Sequence, residues 1–216
     1  MKFKSMFLLC IAWTLCVARA QVYSSDGVGY VNVTLTPGYN MIANPLVAHD
    51  NSIGALFQNF QGGVPNGLTV YKLVNGNFVV ASYFEMTGTF EPTDAAAEIT
   101  LPGDGVWVFL PGDSNRVLTF VGEVEQGDVC TDLPRGFSIK SNPIPRAATL
   151  EQMRFPASAG DFVYVWNPSV RNFTVYNLDP LGYPPMSPIP VGHSFFVYHA
   201  GAEITWCQTF FIIVPQ

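Results

Sequence analysis

One stretch of the sequence, YNMIANPL at Tyr39–Leu46, occurs a second time in altered form, as FSIKSNPI at Phe137–Ile144. Further matches follow in the same order: NF at 77–78 with NF at 172–173, GDGVWVF at 103–109 with GHSFFVY at 192–198, and LTF at 118–120 with ITW at 204–206. The offset between matched residues falls from 98 through 95 and 89 to 86, so order is kept while loops shorten. This pattern indicates a duplicated domain. We place copy one at residues 21–124 and copy two at residues 125–216.

Within each copy the side-chain pattern is typical of short β-strands. Apolar and polar residues alternate at 31–35, 39–43, 69–74 and 78–83, and Asn75-Gly76 between two such runs is a strong hairpin signal. One short helix is indicated in each copy, after Asn51-Ser52 and over the capping-box spacing of Thr149 and Gln152. The sequence therefore predicts an all-β protein of two homologous small β-sandwich or barrel-like domains in tandem, with one short helix each.

The repeated stretch also predicts which strand face is buried. One face carries the same large–medium–small series in both copies: Tyr39, Met41 and Ala43, then Phe137, Ile139 and Ser141. We expect this shared face to be the core. The opposite face differs, with Ile42 in one copy and Lys140 in the other. This difference suggests that copy one buries a second side here, against copy two.

The first 20 residues have the organisation of a signal peptide. Lys2 and Lys4 precede an apolar stretch at 6–17, and Ala18-Arg19-Ala20 has the small-x-small form of a cleavage site. The apolar stretch is shorter than the roughly 20 residues that a membrane span requires. We therefore expect a mature chain without a membrane span, secreted to the periplasm, the cell surface or the extracellular medium.

The charge of the mature chain disfavours nucleic acid as a partner. Cleavage would remove Lys2, Lys4 and Arg19, leaving 10 − 3 = 7 basic residues against 16 acidic ones. Nucleic-acid affinity depends on lysine and arginine neutralising phosphates, so a chain with this balance is not expected to bind DNA or RNA.

Two cysteines remain after the predicted cleavage, Cys130 and Cys207. In an oxidising compartment two cysteines favour a disulfide over a metal site, which needs more ligands. The repeat offsets place Cys130 on the first strand of copy two and Cys207 on its last strand. These two residues align with Asn32 and Val121 of copy one. Two separate buried thiols are the alternative.

The same residues carry a resemblance to a family. The segments VGYVNVTLTPGYNMIANPL, GDGVWVF, LTFVGEVEQGD and LPRGFSIKSNPIP resemble those of uncharacterised short exported bacterial proteins with two repeats. Members share the pattern GYVNxTLxPGF…IANPL, PGxGxxV and TFVGEV, and the match covers nearly the whole mature chain. The resemblance implies secretion and a β fold. It implies no activity and no functional residues.

No catalytic constellation is visible in the sequence. His193 and Ser194 are adjacent, so on a strand they point to opposite faces and cannot act as base and nucleophile. The acidic residues between Glu85 and Glu98 occupy an apparent loop, where a solvated cluster is the simpler interpretation than a paired-carboxylate site. Asp104 and Asp113 lie in turns and leave calcium binding open. We expect a non-enzymatic protein without a cofactor.

The aromatic residues allow two interpretations. Pairs such as Trp107 with Phe196 keep aromatic character at matched repeat positions, which is typical of a core. Trp166 and Tyr183 lie beside loops, where exposed rings could form a platform for glycans.

The C-terminal segment is strongly β-prone and uncharged. Its residues Phe210, Phe211, Ile212 and Ile213 would form an edge for assembly if no other strand covered them. We expect a structural or interaction role through self-association or another surface protein. A carbohydrate-binding module is the alternative, and a hydrolase with carboxylates between the two copies is the third hypothesis.

Overall fold

A computed structural model describes residues 27–179 and 182–212. The predicted signal peptide at 1–20 and Ile213 of the predicted edge lie outside these residues. No helix within the described ranges is long and apolar enough to cross a membrane.

Copy one contains seven strands and two four-residue helices. They are β1 (Val28–Leu35), β2 (Gly38–Ile42), α1 (Ile53–Leu56), β3 (Thr69–Val74), β4 (Asn77–Phe84), β5 (Thr89–Glu91), α2 (Thr93–Ala96), β6 (Val106–Leu110) and β7 (Arg116–Glu123). Copy two contains β8 (Gly127–Leu133), β9 (Gly136–Ser141), β10 (Phe162–Asn167), β11 (Asn172–Asn177), β12 (Ser194–His199) and β13 (Ile204–Phe210). The all-β prediction is confirmed.

The strands pair in the same antiparallel order in both copies. In copy one β2-β6-β3-β4-β5 forms a sheet and β1 pairs with β7 in a separate two-stranded ribbon. In copy two the sheet is β9-β12-β10-β11 and the ribbon is β8-β13. In each copy the first and last strands therefore pair with each other, and the middle strands form the sheet.

Each copy has its own apolar core between its sheet and its ribbon. The core of copy one joins Val70, Val108 and Leu118 to the side chains of both helices. In copy two the core is built around Trp206, Phe155 and other buried side chains. This two-layer packing is sandwich-like, since the inward faces of both layers are apolar and pack against each other.

The helices are distributed differently from the prediction. Both lie in copy one, where α1 begins after Ser52, whose hydroxyl accepts a hydrogen bond from the Ala55 amide. In copy two the predicted capping box does form: the Thr149 hydroxyl accepts from the Gln152 amide, and the Gln152 side chain accepts from the Thr149 amide. The chain there makes only one turn and forms no helix. The acidic segment expected to be a loop contains α2 instead.

The strand registers correct the repeat alignment. Tyr71 opposes Trp107 and Tyr164 opposes Phe196, so the offset at this strand is 164 − 71 = 93. It returns to 95 after the β10–β11 turn, which has four residues where Asn75-Gly76 has two. The offset therefore does not fall steadily. The connection between β9 and β10 in copy two is therefore five residues shorter, 98 − 93, than the connection between β2 and β3 in copy one.

The last strands correspond with an offset of 88. Asn32 opposes Thr119 in copy one, and Cys130 opposes Cys207 in copy two. The counterpart of Cys207 is therefore Thr119 and not Val121, as 207 − 119 = 88. The disulfide expected from the sequence is present in the structure and joins Cys130 and Cys207, with 4.0 Å between their Cα atoms. Copy one has a hydrogen bond at the same place, from the Thr119 hydroxyl to the Asn32 side chain over 2.8 Å.

The two copies are joined by contacts that repeat with their roles exchanged. The Ala43 amide donates to the Gly192 carbonyl over 2.9 Å, and the Ser141 amide donates to the Gly103 carbonyl over 2.9 Å. Ser141 corresponds to Ala43, and Gly192 corresponds to Gly103. Such reciprocal contacts are the mark of a two-fold, isologous interface, here formed within one chain.

Glycine is required at these two crossing points. Gly103 and Gly192 have φ of +94° and +77°, a region that disfavours other residues. A Cβ on Gly103 would lie 2.6 Å from the Thr131 Cβ, and one on Gly192 would lie 2.4 Å from a methyl of Val33. Val33 and Thr131 are themselves repeat counterparts. The recurring glycine of GDGVWVF and GHSFFVY thus lets each loop cross the first strand of the other copy.

The two crossings carry different side chains. Lys140 is buried. Its ammonium group donates to the Asp104 carboxylate of copy one over 2.8 Å and to the Thr131 hydroxyl over 3.0 Å. At the other crossing Ile42 opposes His193. The backbones of Ile42 and Lys140 thus both lie at the boundary between the copies, but the Ile42 side chain belongs to the core of copy one and is not buried against copy two as predicted.

The predicted assignment of strand faces is wrong for the ring positions. Ile42 belongs to the core of copy one, whereas Tyr39 and Phe137 are 42% and 52% exposed. The physical reason is that the ring-bearing face of each sheet is turned away from its own ribbon. It meets the equivalent face of the other copy.

Removing the disulfide should destabilise the protein far more than removing its counterpart in copy one. For the double variant C130A/C207A we expect the free energy of unfolding to fall by roughly 4 kcal/mol, since the bond closes a loop spanning 77 residues. For T119V, which removes only a hydrogen bond, we expect a loss of about 1 kcal/mol. Urea unfolding followed by tryptophan fluorescence measures both. Equal losses would contradict the assignment of the disulfide as the main constraint on copy two.

His193 should make the fold sensitive to mild acid. Burial lowers the pKa of His193, so below the unfolded-state value of about 6.5 the unfolded chain takes up a proton more readily than the folded chain. Stability is therefore expected to fall as the pH drops from about 6.5 toward the lowered pKa. Urea unfolding at several pH values should show a smaller decline for H193N than for the unaltered protein. The exposed His49 provides the control variant H49N, and an identical decline in H193N would contradict the prediction.

Candidate functional site

A layer of aromatic side chains lies between the two sheets. We call it the aromatic layer; its rings are Tyr39, Tyr71, Phe78, Trp107 and Phe109 from copy one and Phe137, Tyr164, Trp166, Phe173, Phe196 and Tyr198 from copy two. Trp107 is at its centre, with ring centroids 5.0 Å from Trp166, 5.5 Å from Phe173 and 5.6 Å from Phe196. Trp107 and Phe196 therefore pack between the copies and belong to neither separate core.

The aromatic layer opens to solvent on one side in an apolar groove of 440 Å³. Phe78, Phe137 and Phe173 are among its lining residues, and the first two are about half exposed. The lining is almost entirely hydrocarbon. A glycan site needs polar groups beside its rings, and the Tyr164 hydroxyl is the only side-chain polar group in this lining.

The two predicted platform residues lie in different environments. Trp166 packs in the aromatic layer, and its indole N–H donates to the Tyr39 carbonyl over 2.8 Å. Tyr183 packs against the core of copy two and donates its hydroxyl to the Phe155 carbonyl. Each ring has its polar group occupied by the fold.

A buried Asp–His pair was not anticipated from the sequence. His199 Nδ1 lies 3.0 Å from a carboxylate oxygen of Asp161, and both side chains are at most 1% exposed. His199 Nε2 lies 2.8 Å from the Ala202 carbonyl oxygen, which accepts a hydrogen bond from it. This nitrogen is therefore occupied by the fold and cannot serve as a base toward a substrate. Asp161 also accepts the Ser158 and Ala200 amides. The pair joins residues 158–161 to residues 199–202 of copy two and has a structural role.

The remaining titratable residues form no metal site in the part of the chain that the structure describes. Asp104, considered for calcium, is paired with Lys140. Asp113 lies in an exposed turn, where its carboxylate accepts from the Ser114 hydroxyl.

The outer edge of the last strand is closed in copy one. The Cα separation at Cys130–Cys207 marks a non-hydrogen-bonded pair, so alternate residues of each last strand direct their backbone groups away from the ribbon partner. In copy one these groups are occupied. Thr119 N–H donates to Asn59, Val117 accepts from Gln61, and Glu123 exchanges two hydrogen bonds with Val47.

The equivalent edge of copy two is open. It belongs to Thr205, Cys207, Thr209 and Phe211, and across residues 27–179 and 182–212 no backbone hydrogen bond joins it to another segment. Two sequence differences explain this. Pro145 stands where copy one has Val47 and has no N–H to donate. The stretch that contains Asn59 and Gln61 in copy one is also shorter in copy two.

A polar groove of 560 Å³ lies beside this open edge. We call it the β13 groove; it is lined by loop residues within 144–154 and by Cys207, Gln208 and Thr209. Its charged lining consists of Arg146 and Arg154, both exposed. The predicted assembly edge at Phe210, Phe211 and Ile212 continues from it, and Phe211 is 65% exposed.

Comparisons with protein-family models, with curated proteins and with solved structures found no match.

Sequence reasoning predicted an edge at Phe210–Ile213, of which only Phe210 belongs to β13, and it missed the two arginines. The available signal was the comparison of the copies: Arg146 and Arg154 stand where copy one has Ala48 and Phe57, in a segment where Pro145 stands in place of Val47. Asp161 and His199, 38 residues apart, had no counterpart pattern to reveal them.

Proposed function

We propose that this chain is an exported, non-enzymatic β protein that acts through association, and that it accepts an extended segment of a partner along the outer edge of β13. The observation that carries the proposal is the contrast between the two copies. The same strand edge is covered by four backbone hydrogen bonds in copy one and is bare in copy two over the described residues.

Strand addition suits this edge physically. Unpaired backbone N–H and C=O groups on an edge are a template for another strand, and main-chain hydrogen bonds supply the affinity. The segments that cover β7 show that this edge geometry accepts an added segment. The adjacent β13 groove gives room for the side chains of such a segment.

The proposed export is supported by the signal-peptide pattern and by the Cys130–Cys207 disulfide, because disulfides persist mainly in oxidising compartments. The disulfide also holds β13 to β8 directly beside the open edge. A fixed edge loses less entropy when a partner binds.

The test uses two substitutions of Thr209. T209P removes the backbone N–H that faces the open edge, whereas T209V keeps that N–H and loses only the hydroxyl contact to Asp128. Peptides selected from a random display library on mature protein should bind about tenfold more weakly to T209P than to T209V in fluorescence anisotropy. Circular dichroism melting checks that both variants fold. Size exclusion with light scattering reports whether a second copy of the chain occupies the same edge.

Peptides that bind T209P and T209V equally would place the contact elsewhere and contradict the proposal. A library that yields no binder, together with monomeric behaviour in size exclusion, would also count against it.

Carbohydrate binding is the second candidate, and the half-exposed rings of the aromatic layer favour it. It ranks below association because the groove beside these rings has almost no polar lining. A glycan array probed with the mature protein should give no ligand. A glycan that binds the unaltered protein and is lost in F78A would reverse this ranking.

A further inference from the structure

We infer that the segment accepted along β13 is acidic, and that Arg146 and Arg154 recognise its carboxylate side chains. This inference rests on the proposed function, which supplies the strand addition, and it adds the chemical class of the partner. Four observations carry it: the position of the two arginines, their lack of carboxylate partners, the orientation of the Arg146 guanidinium, and their absence from the closed copy.

The arginines lie beside the open edge. Both line the β13 groove together with Cys207, Gln208 and Thr209 of the edge strand. Alternate side chains of a strand added to β13 would point toward or away from this groove, because successive residues of a strand face opposite sides. A segment with acidic residues at every second position would therefore present its carboxylates to both guanidinium groups.

Neither arginine is neutralised by the fold. Lys72 and Lys140 form ion pairs with Glu98 and Asp104, but no ion pair within residues 27–179 and 182–212 involves Arg146 or Arg154. The lining of the β13 groove contains no aspartate or glutamate. Two positive charges therefore converge in one groove of a chain whose formal net charge is −6.

The guanidinium of Arg146 is already oriented. One of its terminal nitrogens donates to the Gln152 carbonyl over 3.1 Å, which leaves the rest of the planar donor fork for a ligand. An arginine fork matches the two oxygens of a carboxylate, and such bidentate pairs give directional recognition.

The positions equivalent to the two arginines in copy one, where the edge is closed, carry no charged side chain. The counterparts of Arg146 and Arg154 in copy one are Ala48 and the buried Phe57, beside an edge that the backbone of copy one covers. Arginines occur where the covering segment is missing, which is the arrangement expected if they help to bind a segment supplied from outside.

The experiment compares two synthetic probes. One is a fluorescein-labelled extended peptide that alternates threonine and glutamate, and the other replaces every glutamate by glutamine. We expect the glutamate peptide to bind the mature protein at least about tenfold more tightly in fluorescence anisotropy, with a difference that shrinks as salt is raised. The double variant R146Q/R154Q should lose this difference. R135Q, which removes an exposed arginine outside the β13 groove, should keep it.

The outcomes separate the two proposals. Equal binding of both peptides, abolished by T209P, would leave strand addition in place and overturn the acidic partner. Failure of both peptides to bind would count against strand addition itself. Binding of an acidic oligosaccharide, such as an oligogalacturonate, in place of the glutamate peptide and its loss in R146Q/R154Q would assign the arginines to a glycan and overturn the inference. A charge swap gives the positive test: R146E/R154E should prefer a threonine–lysine peptide.

Discussion

Two backbone hydrogen bonds, from Ala43 to Gly192 and from Ser141 to Gly103, fix how the halves of this chain sit together. Each joins the end of one copy's second strand to a loop of the other copy. Because these loops cross the neighbouring copy's first strand at contact distance, both require glycine. The same crossing brings the outward faces of the two sheets together and so creates the aromatic layer. It also places Lys140 and Asp104 within ion-pair distance across the boundary.

The two copies share this arrangement of strands and differ in the segments that cover the strand edges. Copy one has additional residues between β2 and β3 and between β4 and β6, where they form β5, α2 and the segment that pairs with β7. Copy two lacks those residues and has a proline where the remaining contact would form. It compensates with constraints of another kind, a disulfide at the position of a side-chain hydrogen bond and a buried Asp–His pair. Loop loss and covalent constraint therefore occur in the same copy.

The sequence alone was sufficient for the strand content and for the pairing of Cys130 with Cys207, since alternation, turn residues and cysteine positions are local or countable signals. It was insufficient for the burial of each strand face. Tyr39 and Phe137 look like core residues, but each ring packs against rings of its own copy on the face turned away from the core. Only the relative placement of the two sheets shows that this face meets the other copy, where Trp107 contacts Trp166. Helix placement also failed in copy two, where a complete capping box at Thr149 and Gln152 is followed by too few residues to propagate a helix. The open edge of β13 was suspected from composition, but its arginines become meaningful only when loop and strand are seen side by side.

The reciprocal crossing has a consequence for valency. A symmetric pair of identical repeats would present every surface twice, so an open edge on each half could bridge two partners and propagate an assembly. In this chain the two halves differ, since over the described residues the edge is closed on β7 and open on β13. Under the proposed function, the described part of each molecule therefore offers this binding edge once. Binding there would join one partner segment to one molecule and would not propagate an assembly, as two equivalent open edges could.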